Sequence, residues 1–398
     1  MLNHRHIPYL TWLLSGMMLL MIAACNSSDD GGRQEGGTDK KPAMLAIYVY
    51  APEQAAAAQQ KAAQTRANEG EVDVISAAER EIKSLQLWIY EHISGNYVGY
   101  VSVSTEEVTS LNTGEGVTYQ IPVSDDFASR KPSVDVYVHA NVKANNCGVG
   151  TLNEETSRAA LMSGAKITKN STMDYFGLGN LQMTIPSDGL PMAGKLTMQP
   201  VVGEAPALRV GDLSQVSTVQ LTRAVSKLRF VFAKTTGQAT VCIKSIKIDA
   251  GMIPEVEYLF DTTQPLTYNT TAGELLLTDI EDIAATKDPT VYLYYNQEAQ
   301  KYEDLINEAA SKENPEVTVR GPIYLRESDK QLTGTISYTI GGGELQTATF
   351  TMQQAGDFSR NHTWIVYAYY AGTGGLQVQT IYVKNWENRT IDHDLFNW

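Results

Sequence analysis

Apolar residues along this chain alternate in short runs, and Gly, Asn, Asp and Pro separate the runs. A period of two is the signature of β-strands. In Ala43 to Tyr50 (AMLAIYVY), Met44, Ala46, Tyr48 and Tyr50 alternate with Leu45, Ile47 and Val49. Both faces are apolar, so this strand is expected to be well buried. Ser84 to Tyr90 and Tyr97 to Val103 flank Gly95-Asn96 and predict a hairpin. Val117 to Val123 and Val134 to Val142 are further strands, the first placed at an edge because Pro122 has no N–H to donate. Leu181 to Ile185 and Leu196 to Met198 read as short strands.

The second half repeats the style. Thr218 to Lys234 carries the alternation Leu228, Phe230, Phe232, and Val241 to Ala250 alternates as well. Val291 to Tyr295, Ile323 to Leu325, Leu332 to Ile340 and Gln346 to Met352 are predicted strands, the last two joined at Gly341-Gly342-Gly343. Trp364 to Tyr370 and Leu376 to Val383 form a hairpin across Gly372 to Gly375. Helices are expected at Asn153 to Gly164, with Asn153 as its cap, and at Lys301 to Lys312 on the surface. Pro52 to Arg66 (PEQAAAAQQKAAQTR) favours helix, but its apolar face is only alanine, so it reads as an exposed, marginal helix or a linker.

Closely spaced strands with no βαβ alternation predict an all-β protein built of β-sandwiches, with a few short helices. A length of 398 residues suits two domains. The polar Gly/Pro stretch from Val201 to Ser214 marks the expected boundary, giving domains of 43–205 and 206–398. No internal repeat is visible.

The ends change the picture. Residues 1–24 read as a targeting signal, with a weakly basic start (His4, Arg5, His6) and an apolar stretch from Tyr9 to Ile22. Ile22-Ala23-Ala24-Cys25 resembles the lipobox of bacterial lipoproteins, which implies acylation of Cys25. An ordinary signal peptide or an uncleaved anchor is the alternative. The following stretch to residue 42, polar and Gly-rich, reads as a flexible tether. Within it, Ser28-Asp29-Asp30 resembles an acidic surface-export signal.

Chemistry is sparse. The formal charge is −14 with no basic block, which argues against a nucleic-acid partner. His92, His139, His362 and His393 are scattered, and no H-E-x-x-H, C-x-x-C, P-loop or G-x-S-x-G occurs. Asp279, Glu281 and Asp282 lack the glycine and terminal Glu of a calcium loop and read as a solvated acidic turn. Cys147 and Cys242 either pair or stay as free thiols. No catalytic residue, metal or cofactor is nominated, and the expectation is a protein that is not an enzyme.

Several short motifs do point somewhere. They are the cysteine at Cys25, Glu81-Ile82 leading into Ser84 to Tyr90, Leu190-Pro191-Met192-Ala193-Gly194, Leu221 to Lys227 (LTRAVSK), Arg360-Asn361-His362, and a C-terminus bearing Trp386 and Trp398. In this order the chain resembles the fimbrillin superfamily of type V pili, the major and minor fimbrial subunits. The resemblance implies two transthyretin-like sandwiches, export to the cell outer membrane as a lipoprotein precursor, and assembly into a surface fimbria that supports adhesion. It further implies that a trypsin-like protease cuts after an arginine downstream of the first strand. That strand, carrying Met44, Leu45, Ile47 and Val49, then leaves, and a strand of another subunit takes its place. Arg66 is the candidate cleavage site and Arg80 the second choice. The candidate donor strand is Leu376, Val378, Ile381 and Val383. If that strand belongs to the subunit's own sheet, the polar tail after Trp386 leaves little to donate, which favours a tip or accessory subunit over a stalk. A membrane-retained anchor subunit and a glycan-capturing surface lipoprotein, using Trp88, Trp364, Tyr369, Tyr370 and Trp386, are the alternatives. A host glycan or protein receptor is a possible partner.

Overall fold

A computed structural model describes residues 43–50, 77–103, 105–112, 117–179, 181, 183–202, 207–210, 219–261, 263–293, 299–352 and 354–383. The first strands are β1 (Ala43–Tyr50), β2 (Leu85–Glu91), β3 (Tyr97–Ser102), β4 (Val117–Val123), β5 (Val134–Ala140), β6 (Lys166–Thr168) and β7 (Met192–Met198). Four very short ones follow: β8 (Val201–Val202), β9 (Ala207–Val210), β10 (Val219–Gln220) and β11 (Thr222–Arg223). The second set is β12 (Ser226–Thr235), β13 (Val241–Ile248), β14 (Val256–Tyr258), β15 (Gly273–Leu276), β16 (Ala285–Thr286) and β17 (Thr318–Leu325). It ends with β18 (Thr333–Ile340), β19 (Gln346–Thr351), β20 (Thr363–Tyr370) and β21 (Gln377–Val383). The helices are α1 (Ala77–Arg80), α2 (Thr105–Asn112), α3 (Asp125–Arg130), α4 (Ala144–Cys147), α5 (Arg158–Gly164) and α6 (Ala299–Ser311).

The strands build two sandwiches of one topology. In the first, β1 pairs antiparallel with β4 and parallel with β9, while the facing sheet runs β7-β5-β2-β3, antiparallel throughout. In the second, β12 pairs antiparallel with β17 and parallel with β20, and the facing sheet runs β19-β18-β13-β15. The chain therefore does contain a repeat, one of strand order and direction. Alternation alone cannot reveal it, because alternation is blind to which strand pairs with which.

Each sandwich has its own core. Leu45, Ile47, Leu87, Ile89, Val136 and Val138 meet in the first. Leu228, Phe230, Phe232, Ile243, Ile246 and Val366 meet in the second. A third apolar layer lies on the outer face of β2 and β5, where Trp88, Tyr90 and Tyr137 pack with Cys147, Leu161, Leu259 and Tyr324. β5 is consequently buried along its whole length. On the far side of the second domain, Ile306 and Ala309 of α6 cover Val231, Ile365 and Tyr367.

The two sandwiches are tied together by polar as well as apolar contacts. β6 pairs with β14 across the junction. The carboxylate of Glu79 on α1, 2% exposed, takes Lys227 Nζ at 3.0 Å and the hydroxyl of Tyr324. The carbonyl of Glu79 accepts from Arg223 Nε at 3.0 Å. Farther along, Arg326 holds Asp174 through two hydrogen bonds of 2.5 and 2.6 Å.

Several expectations need correction. Strand pairing carries the first sandwich through β11 at Arg223, beyond the boundary expected at residue 205, because β9, β10 and β11 pair with β1 and β7. No strand forms among the described residues of Val291 to Tyr295: Pro289–Tyr292 form a 3-10 turn capped by the Asp288 side chain, which accepts from Thr290 N. No strand forms among the described residues of Leu181 to Ile185. The helix expected from Asn153 begins at Arg158, because Ser157 is its cap and Asn153 instead closes its own turn on Thr156 and Glu155. Helices α2 and α3 escape the sequence pattern, being a turn or two long with one or two buried residues each. Gly341 and Gly342 do turn a hairpin, both with positive φ of 58° and 73°, which glycine adopts without steric cost.

Glu79→Ala strips the carboxylate from a buried ammonium. The expected loss is about 3–5 kcal/mol of unfolding free energy, measured by urea titration of the purified protein. A change below about 1 kcal/mol would show that the junction does not depend on this pair.

Candidate functional site

The site centres on β1. Its odd-numbered side chains Leu45, Ile47 and Val49 are each 0% exposed, whereas Met44, Ala46 and Tyr48 are half-buried. The expectation of burial thus holds fully for one face. Burying each of the three inward side chains contributes roughly 1.5–3 kcal/mol. They sit over Leu85, Leu87, Val136, Val138, Tyr119 and Ile121.

β1 is an interior strand. On one side it pairs with β4 from Ala43↔Val123 to Val49↔Val117. On the other side Met44 to Ile47 pair with β9, and Val49 and Tyr50 pair with β10. Backbone N–H and C=O groups are thus engaged to both sides, and taking β1 away orphans two facing ladders above an apolar floor. β4 is an edge strand, as Pro122 predicted; Pro122 itself is exposed.

The flank formed by β9 and β10 depends on the motifs around it. Met192 and Ala193 pair with Arg223 and Thr222, and Ala224 N donates to Pro191 O at 2.8 Å. Asn361 N donates to Val225 O, and Lys227 N donates to His362 O. Asn141 Nδ2 donates to Glu81 O and Leu190 O, stitching another two motif segments together. A Cβ on Gly194 would lie 2.2 Å from the Gln220 carbonyl oxygen, so glycine is what lets β10 come close. The motif segments between residues 81 and 362 therefore meet at one place, the junction beside the β1 groove.

The remaining sequence candidates fall as follows. Arg80 is 7% exposed at the end of α1 and so is shielded from a protease in this fold. Cys25, Arg66, Trp386, His393 and Trp398 lie outside the described residues. Leu376, Val378, Ile381 and Val383 belong to β21 and its start, which pairs with β20 from Tyr369↔Gln377 to Thr363↔Val383. Leu376 and Ile381 are buried there. The candidate donor is thus an edge strand of the chain's own second domain. Cys147 and Cys242 are both free, and burial raises the Cys147 thiol pKa. In the acidic turn, Asp279 pairs with Arg320, and Asp282 accepts from Lys234 Nζ and Val241 N. These partners explain the acidic residues as local structure. Of the aromatic residues considered for a platform, Trp88 and Trp364 are 0% and 1% exposed and Tyr370 is 7% exposed, while Tyr369 is half-buried. Their hydrophobicity serves the cores.

No family model matches the chain, and no curated protein does. Among solved structures, the chain is similar to the tip fimbrial protein Mfa3 from Porphyromonas gingivalis with C-terminal truncation, at 10% identity and a TM-score of 0.49. That match covers 87% of this chain and 100% of the other. It is also similar to a fimbrial assembly protein from Parabacteroides distasonis, at 12% identity and a TM-score of 0.45, covering 86% of this chain and 97% of that one. These neighbours are fimbrial proteins of Bacteroidales.

His139 on β5 is 2% exposed, its Nε2 has no hydrogen-bond partner, and its ring centroid lies 5.0 Å from that of Trp88. Burial pushes its pKa down to about 3, from 6.5. The unfolded chain therefore binds a proton here that the folded chain refuses. The contribution is complete above pH 6.5 and is lost as pH falls toward 3. Acid titration of stability should show this slope, on the order of a few kcal/mol in all, and His139→Phe should flatten it. An unchanged slope in the variant would assign the acid sensitivity to other groups.

Proposed function

We propose that this chain is an acceptor subunit, tip or accessory, of a cell-surface fimbria. It is exported as a lipoprotein precursor held at the outer membrane through Cys25. A trypsin-like protease then cuts after Arg66, β1 departs, and a strand from another fimbrial subunit fills the groove. The observation that carries this reading is the position of β1: an interior strand with a fully buried face, joined to β2 only through residues 51–84.

The second sandwich supplies the comparison. Its equivalent strand, β12, is buried on both faces, with Phe230 and Phe232 on one and Val231 and Ala233 on the other. β12 pairs along eight residues with an unbroken β20 and runs into β13 through a short turn. β1 has instead a half-buried outer face and a parallel flank divided between β9 and β10. One strand is built to stay and the other is held more lightly. Burial of Arg80 favours Arg66 as the cut, and a cut at Arg66 leaves Glu79 in place at the junction. The pairing of β21 within its own sheet supports an acceptor that does not itself supply the next strand.

Limited trypsin digestion of the intact protein should give a stable fragment beginning at Ala67, with the bond after Arg80 uncut, read by N-terminal sequencing and mass spectrometry. The clipped protein should release the β1 fragment and bind a synthetic peptide of residues 43–50 in its place. Cleavage after Arg80 together with retention of β1 would overturn the assignment.

A further inference from the structure

Tyr119 lies on β4 directly across from Ile47, so both side chains point into the same core. Tyr119 is 5% exposed, and its hydroxyl is buried without a hydrogen-bond partner. A hydroxyl in that state is destabilising, because folding removes its water and returns nothing. β1 cannot help: the side chains it turns inward are Leu45, Ile47 and Val49, none of which can accept or donate. The chain's own first strand is therefore an imperfect filler of its groove.

We infer that Tyr119 is a specificity determinant for the incoming strand, favouring one that carries a hydrogen-bonding side chain, a threonine or serine hydroxyl above all, at a position where β1 has an aliphatic one. This rests on the strand-exchange reading above. A β-branched threonine keeps the strand preference and most of the volume of Val49 or Ile47 while offering both a donor and an acceptor. The orphaned hydroxyl would then tilt the exchange toward the partner and away from the departing strand. The partner is a fimbrial subunit other than this one, with inward-facing residues at alternate positions of which one is polar. In this chain's own β21 the buried Thr380 already spends its hydroxyl on Thr351 O, at 2.9 Å.

The test uses clipped protein and peptides of residues 43–50, parental or with Leu45→Thr, Ile47→Thr or Val49→Thr, each against wild-type and Tyr119→Phe protein. Threonine at one of the three positions should bind wild-type protein roughly five- to tenfold more tightly relative to the same peptide on Tyr119→Phe, with the parental peptide as reference. In the uncut precursor, Tyr119→Phe should leave the melting temperature unchanged or raise it. The inference is overturned if no threonine peptide shows a Tyr119-dependent gain, or if Tyr119→Phe lowers the precursor's melting temperature, which would reveal a partner for the hydroxyl. Failure of every peptide, the parental one included, to enter the clipped protein would instead overturn the exchange reading itself.

Discussion

The structure depends on a backbone constraint at β1. A strand flanked on both sides has its peptide groups committed in two directions, and those of its neighbours are committed to it. β4, β9 and β10 have little else to pair with along that edge, and β9 and β10 are only a few residues long. The inward side chains of β1 close the roof of the first core. A vacancy here would expose apolar side chains and unpaired amides together, the combination that draws in another extended chain. The proposed role is the consequence of that single placement.

The topological repeat shows how the same strand order yields one strand buried on both faces and one half-buried on its outer face. In the second sandwich the covering helix α6 and a continuous parallel neighbour bury β12 from every side. The first sandwich spends its extra layer on the opposite sheet, over Trp88, Tyr90 and Tyr137, while the outward residues Met44, Ala46 and Tyr48 of β1 are half-buried. The asymmetry lies in what packs outside the sandwich, not in the order of strands.

The junction between the sandwiches is built on buried ion pairs. Buried charges are stable only when opposed and hydrogen-bonded, and here they are: Glu79 with Lys227, Asp174 with Arg326, and Arg360 with Glu327. Burial in this cluster also raises the Glu257 pKa to about 8. None of these contacts uses β1. α1 contributes to the junction from the C-terminal side of the proposed cut.

By itself the sequence determined the all-β class and most of the longer strands, because a period of two is a local signal that survives without knowing any partner; for β1, apolar on both faces, it did not choose which face turns inward. It also brought forward Gly194 and the Arg360-Asn361-His362 segment as motifs without a reason for them. Tertiary structure alone decided that β1 is interior, that β9 to β11 belong with the first sandwich, that Val291 to Tyr292 turn into a 3-10 helix after Pro289, and that Arg80 and Trp88 are buried. It alone left the Tyr119 hydroxyl without a partner. These are outcomes of pairing and packing between segments far apart in sequence, up to 245 residues for Glu79 and Tyr324, and no window along the chain contains both halves of such a contact.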